Sequence, residues 1–139
     1  MSLMPKRVKY RKDMRRVRDR KATKGNYVAF GDFGLQAMAG CWLTARQIEA
    51  GRVAAQHFLK RQGKLYLRVF PDKPISKKPL ETRMGTGKAD VDYWAARVKP
   101  GTVVFEIAGV PVDVAKRALV RVAMKMPVKT RFVGRRLEV

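Results

Sequence analysis

Hydrophobic and polar positions change period several times along this chain, and each change marks an element. Leu65, Leu67 and Val69 alternate with Tyr66, Arg68 and Phe70, the two-residue period of a strand. Asn26-Tyr27-Val28-Ala29-Phe30 also predicts a strand. Gly31 and Gly34 then bracket Asp32-Phe33 as a turn or bulge before a further short strand. Tyr93–Val98 and Thr102–Ile107 predict two strands that the turn Lys99-Pro100-Gly101 joins as a hairpin. Val128–Val133 predicts a last one.

Two stretches have helical period instead. Thr44 and Gln47 form the sequence signature of a capping box. Ile48, Gly51, Ala55, Phe58 and Leu59 then share one face, with Arg46, Arg52, Lys60 and Arg61 off its centre and Gly63 as terminator. Pro111 suits the first turn of a second helix. Its apolar stripe is Ala115, Ala118, Leu119, Val122 and Met126, its polar one Asp113, Arg117 and Arg121, and Pro127 ends it. Pro71, Pro74 and Pro79 break regular structure. Between Pro74 and Asp90 only Glu81-Thr82-Arg83-Met84 has a regular look. Strands and helices mix without a βαβ rhythm. The expected fold is α+β, with both helices packed on one face of a largely antiparallel sheet.

Length and composition fit one packed domain. The chain has 139 residues, 46% of them hydrophobic, enough to rule out a wholly disordered protein. The expected division is a basic extension over 1–24 and a single α+β domain over 25–139 carrying a long loop over 74–90. A lone cysteine, Cys41, excludes an internal disulfide and reads as a small core residue. No apolar run has the length of a membrane span, and the basic N-terminus lacks the apolar stretch of a secretory signal. A soluble, cytoplasmic protein is expected.

Charge changes the picture most. Lys and Arg number 32 against 11 Asp and Glu, a formal net charge of +21. Residues 1–24 alone hold eleven basic and two acidic residues. Charge of this size repels itself in a compact fold and calls for a polyanion. Nucleic acid is the commonest polyanion of that capacity. An anionic membrane surface is the rival.

Catalytic chemistry is not assembled. His57, the only histidine, falls on the polar side of the first helix, so a zinc site or a Cys–His nucleophile pair is not supported. Gly85-Thr86-Gly87-Lys88 fails as a phosphate loop. Thr82 stands where that motif starts with glycine, and Ala89 where it needs Ser or Thr for magnesium. Asp90 and Asp92 suit a solvated turn better than a nuclease metal pair. No cofactor, metal or small-molecule substrate is expected.

The basic segments carry the candidate chemistry. Lys6, Arg7, Lys9, Tyr10, Arg11 and Lys12 mix point charges, guanidinium forks and one ring that can stack on a base. Arg15, Arg16 and Arg46 extend the set. The 74–90 segment adds Lys77, Lys78, Arg83 and Lys88, and Gly85 and Gly87 leave its backbone free to approach a ligand. As a hairpin-like excursion its tip would reach up to roughly 25 Å, at about 3.3 Å per residue in each arm.

Several runs also carry a resemblance. These include Pro5-Lys6-Arg7-Val8-Lys9-Tyr10-Arg11-Lys12, Val28-Ala29-Phe30-Gly31 and Leu43-Thr44-Ala45-Arg46-Gln47-Ile48-Glu49-Ala50. Arg68-Val69-Phe70-Pro71-Asp72-Lys73-Pro74, Arg83-Met84-Gly85, Gly87-Lys88 and Phe105-Glu106-Ile107-Ala108-Gly109-Val110 continue it in order. Over nearly its whole length the chain resembles the family of bacterial large-subunit ribosomal protein sixteen.

That resemblance implies a structural, non-catalytic protein with a hammerhead-like β arrangement. It would bind large-subunit (23S) ribosomal RNA near the peptidyl-transferase region, contact aminoacyl-site transfer RNA, lie among neighbouring large-subunit proteins and join late in assembly. The basic N-terminus and the loop carrying Arg83, Met84, Gly85, Gly87 and Lys88 match family segments that lie against RNA. Ala89 departs from the family, which usually has glycine there. So do Gly40-Cys41-Trp42 and the tail around Asp13 and Asp19. From the match at its start, no organelle-targeting extension is expected, and a plastid-encoded copy would also lack one. A free RNA chaperone or assembly factor and a metal-dependent nuclease are the alternatives.

Overall fold

The computed structural model describes residues 3–15 and 20–135. Among them the chain runs β1 (Phe33–Ala37), β2 (Cys41–Thr44), α1 (Ala45–Leu59), β3 (Lys64–Leu67) and β4 (Lys73–Ser76). It continues with β5 (Val91–Val98), β6 (Val103–Ala108), α2 (Val112–Ala123) and β7 (Thr130–Gly134). The expected α+β class holds, but the strands divide into two antiparallel sheets rather than one. Sheet A has the order β3-β6-β1-β7 and sheet B the order β2-β5-β4.

α1 begins as its capping box requires. The Gln47 amide donates to Thr44 Oγ1 at 3.2 Å, and the Thr44 amide donates to Gln47 Oε1 at 3.0 Å. Ile48, Gly51, Ala55 and Leu59 are buried, and Phe58 is partly so. The helix stops before Gly63, because Lys60 takes the left-handed cap conformation itself, at φ 47°. In α2, Ala115, Ala118, Leu119 and Val122 are buried. That helix ends at Ala123, short of Pro127.

The helices pack on each other and against sheet A, and one hydrophobic core runs through helices and both sheets. Gly51 lets them come close. A Cβ there would lie 2.9 Å from Phe105 Cζ and 3.1 Å from Val122 Cγ1. Phe105 therefore faces the helices, and its neighbour Glu106 faces the opposite side of the sheet.

Four sequence expectations are corrected. Residues 26–30 form no strand. Their segment crosses the outer face of sheet A, Val28 buried against Gly34, and the amides of Ala29, Phe30 and Gly31 bond a side chain instead of a neighbouring strand. β5 and β6 are consecutive but do not pair. The turn between them is tied to β1, the Gly101 amide donating to the Ala37 carbonyl at 2.7 Å, so the chain leaves sheet B there and enters sheet A. Pro74 lies inside β4, tolerated because β4 is an edge strand. Glu81–Met84 forms no helical turn beyond a bend in which the Thr82 amide donates to the Pro79 carbonyl.

Candidate nucleic-acid interface

β4 and β5 pair antiparallel, with Pro74 opposite Trp94 and Ile75 opposite Tyr93. The intervening residues 77–90 are therefore the loop of a wide hairpin at the edge of sheet B. Lys77, Arg83, Met84, Gly85, Gly87 and Lys88 are exposed, and Lys78 is half-buried. Gly85, Thr86 and Gly87 have φ of 108°, 60° and 78°. Three successive left-handed residues bend the backbone sharply, and glycine at two of them removes most of the strain. The Lys78 ammonium donates to the Gly85 carbonyl and braces this bend.

The tail is anchored beside the same edge. Lys73 is a charged residue in the strand core, only 1% exposed. Its Nζ donates to Asp13 Oδ2 at 3.1 Å and to the Met14 carbonyl, and it lies 5.7 Å from the centre of the Trp42 ring. Arg15 lies over the same ring at 5.4 Å. Lys73 holds the Asp13 carboxyl below its ordinary range through this hydrogen bond, helped by the Met14 amide. Asp13 thus serves as an internal counter-ion, which accounts for an acid in so basic a tail.

Tail and loop also touch directly. Lys12 Nζ donates to the Lys88 carbonyl at 2.8 Å and approaches Asp90 at 3.9 Å, and the Lys88 ammonium donates to the Asp13 carbonyl. A groove of about 210 Å³ lies between them, lined by Arg15, Lys77, Lys88 and Tyr93 among others. Near the tail's start, Leu3 packs against the core. A second groove there joins Leu3 and Met4 to Arg46, which is exposed in the first turn of α1.

The structure thus brings Lys12, Arg15, Lys77 and Lys88 to one edge. Lys6, Arg7, Lys9, Tyr10 and Arg11, which precede them in the tail, are exposed. Arg16 lies outside the described residues. Among described residues, no group of three His, Cys, Asp or Glu is placed to hold a metal ion, and no helix is long and apolar enough to cross a membrane. Asp90 and Asp92 are exposed at the start of β5. What this edge offers is a group of cations at the root of a loop with a glycine-bent backbone, a chemistry that can hold phosphate.

The family model described as ribosomal protein L16p/L10e matches residues 5–133. That span contains most of the tail, the loop, both helices and all the strands but the last residue of β7. The chain belongs to this ribosomal protein family. It is also 56% identical over 136 residues to the large ribosomal subunit protein uL16 of Rhodopirellula baltica, covering 98% of this chain and 99% of that protein. Family membership makes the protein a structural, non-enzymatic component of the large ribosomal subunit.

Sequence reasoning missed Lys73 and Trp42 as the anchors of the tail. A lysine between prolines beside a strand looks like a surface residue. It also missed a second polar cluster, Arg68 with Glu106. The signal for that one was present: Glu106 is the sole acid in the apolar run Val103–Ala108, and a lone charge in such a run calls for a built-in partner.

Proposed function

We propose that the chain binds large-subunit ribosomal RNA chiefly through the tail and the 77–90 loop, and that the loop reaches toward aminoacyl-site transfer RNA near the peptidyl-transferase region. The observation that carries this reading is the joining of two basic segments, distant in sequence, at one edge of sheet B through Lys12, Asp13, Lys73 and Lys88. Cations gathered there neutralise more phosphate than the same residues spread over the surface. Late entry into the subunit follows if the loop fits a site that RNA must first build. A free chaperone would need the same charge but no fixed direction for it, and the anchored tail favours a fixed one.

Arg83 is the clearest test. Lys88 is tied into the tail, but Arg83 is exposed beside the bend and combines charge with a planar fork. Arg83→Ala is expected to leave the melting curve within about 0.5 kcal/mol of wild type. Reconstituted subunits carrying it should mature late or form peptide bonds slowly, and Arg83→Lys should rescue only in part. Unfolding by Arg83→Ala would make the residue structural. Unchanged stability with unchanged translation would remove the loop from the functional surface.

A further inference from the structure

We propose that the Phe30 ring is a stacking platform for one unpaired RNA base, with the exposed Lys64 as its phosphate-facing cation and Arg68, paired with Glu106, as its brace. This rests on the RNA-binding reading above, and adds a contact on sheet A, away from the tail and loop on sheet B. Phe30 is 63% exposed, yet its backbone is pinned by hydrogen bonds to a buried side chain. The Phe30 and Gly31 amides donate to Glu106 Oε2 at 2.7 and 2.8 Å, and the Ala29 amide donates to Oε1 at 3.1 Å.

The ring itself is also placed. It stacks on Tyr66 with centroids 5.8 Å apart and planes 28° from parallel, and Arg68 Cζ lies 5.0 Å from its centre. Arg68 is fixed in turn by its ion pair with Glu106. A scattered exposed phenylalanine needs no explanation. One that is braced by a second ring and a guanidinium, on a loop pinned by a buried carboxylate, is a rigid π surface with little entropy left to lose on binding.

The chemistry of the surroundings selects the occupant. Lys64 and Tyr66 share one face of β3 by the two-residue period of a strand, Arg68 follows just past its end with its amide bonded to the Val104 carbonyl, and Lys64 is exposed. A free cation beside a stacked pair of rings suits a nucleic-acid strand, whose phosphate meets the charge while a base stacks on the ring. An apolar loop of a neighbouring protein would use the bulk of Phe30 but gain nothing from its π face or from Lys64.

These two occupants separate experimentally. The probe is an adenosine hexaribonucleotide with 2-aminopurine at its centre, added to the full chain at raised salt. Every protein carries Tyr10→Ala, so that the tail's ring does not report. With Phe30 intact, base stacking quenches the probe. Phe30→Leu keeps the bulk and loses the π face. It should weaken binding about 5-fold or more and reduce the quenching, whereas Phe30→Trp should preserve both. All three should stay folded, with Phe30→Leu melting only slightly lower for its lost ring contact with Tyr66. The platform is refuted if Phe30→Leu binds and quenches like the parent, or if Phe30→Trp loses both with the fold intact. If the parent itself fails to bind RNA at any salt, the underlying RNA reading falls and the platform with it.

Discussion

Each sheet buries one charge, and the two are held in different ways. On sheet A, Glu106 is fully buried and accepts from three backbone amides and the Arg68 guanidinium. On sheet B, Lys73 is as deeply buried, but its ionic partner Asp13 belongs to the tail and is 45% exposed. The first charge is satisfied by the domain's own backbone and cannot lose its donors without local unfolding. The second has one ionic partner, on the tail, that competes with water, besides the Met14 carbonyl and the Trp42 ring. The same device, a buried charge, thus serves as a rivet in one sheet and as a latch in the other.

Breaking the rivet should have the largest effect. Glu106→Gln keeps the shape but cannot accept from all four donors, and it strands Arg68. A loss of about 3 kcal/mol is expected, roughly 10 °C in Tm. Acid should act in the same direction. Burial alone would raise the Glu106 carboxyl, but the amides of Gly31, Ala29 and Phe30, with Arg68, outweigh it and hold it below the ordinary glutamate value of 4.5. A carboxyl depressed on folding contributes fully above its unfolded value and loses that contribution as pH falls through the folded one. Stability should therefore drop as pH is lowered below about 4.5, and the Glu106→Gln variant should show a smaller drop. Equal acid sensitivity in both proteins would contradict the rivet.

Breaking the latch should do less to the fold and more to the tail. Asp13→Asn leaves Lys73 with the Met14 carbonyl and the Trp42 ring. Because the lost partner is half in water, melting should change by no more than about 1 kcal/mol. Limited trypsin digestion should nonetheless cut the tail near Arg15 faster than in the parent. If Asp13→Asn destabilises the domain as much as Glu106→Gln, the contrast between the sheets is wrong.

The same contrast marks where the sequence was legible. Local rules were enough for both helices: a capping box at Thr44 and Gln47 and a stripe through Ala115, Leu119 and Val122 act within a turn or two. The alternation through Leu65 and Leu67 was enough for β3. Pairing across the chain was not legible. Residues 26–30 have strand composition, but Glu106, distant in sequence, takes their amides. The turn at Lys99–Gly101 predicts a hairpin, but contacts with Ala37 turn it into a corner between sheets. The exposed cations of the tail and loop could be read from charge alone. The Asp13–Lys73 pair, 60 residues apart, could not.

The central claim is that this edge of the molecule grips RNA through its phosphates. Its most direct test is the affinity of the full chain for large-subunit ribosomal RNA across a salt series. If about eight phosphates are neutralised, at roughly 0.7–0.9 counterions per contact, log affinity should fall against log salt with a slope of about −6 to −7. An affinity that barely changes with salt would contradict the account.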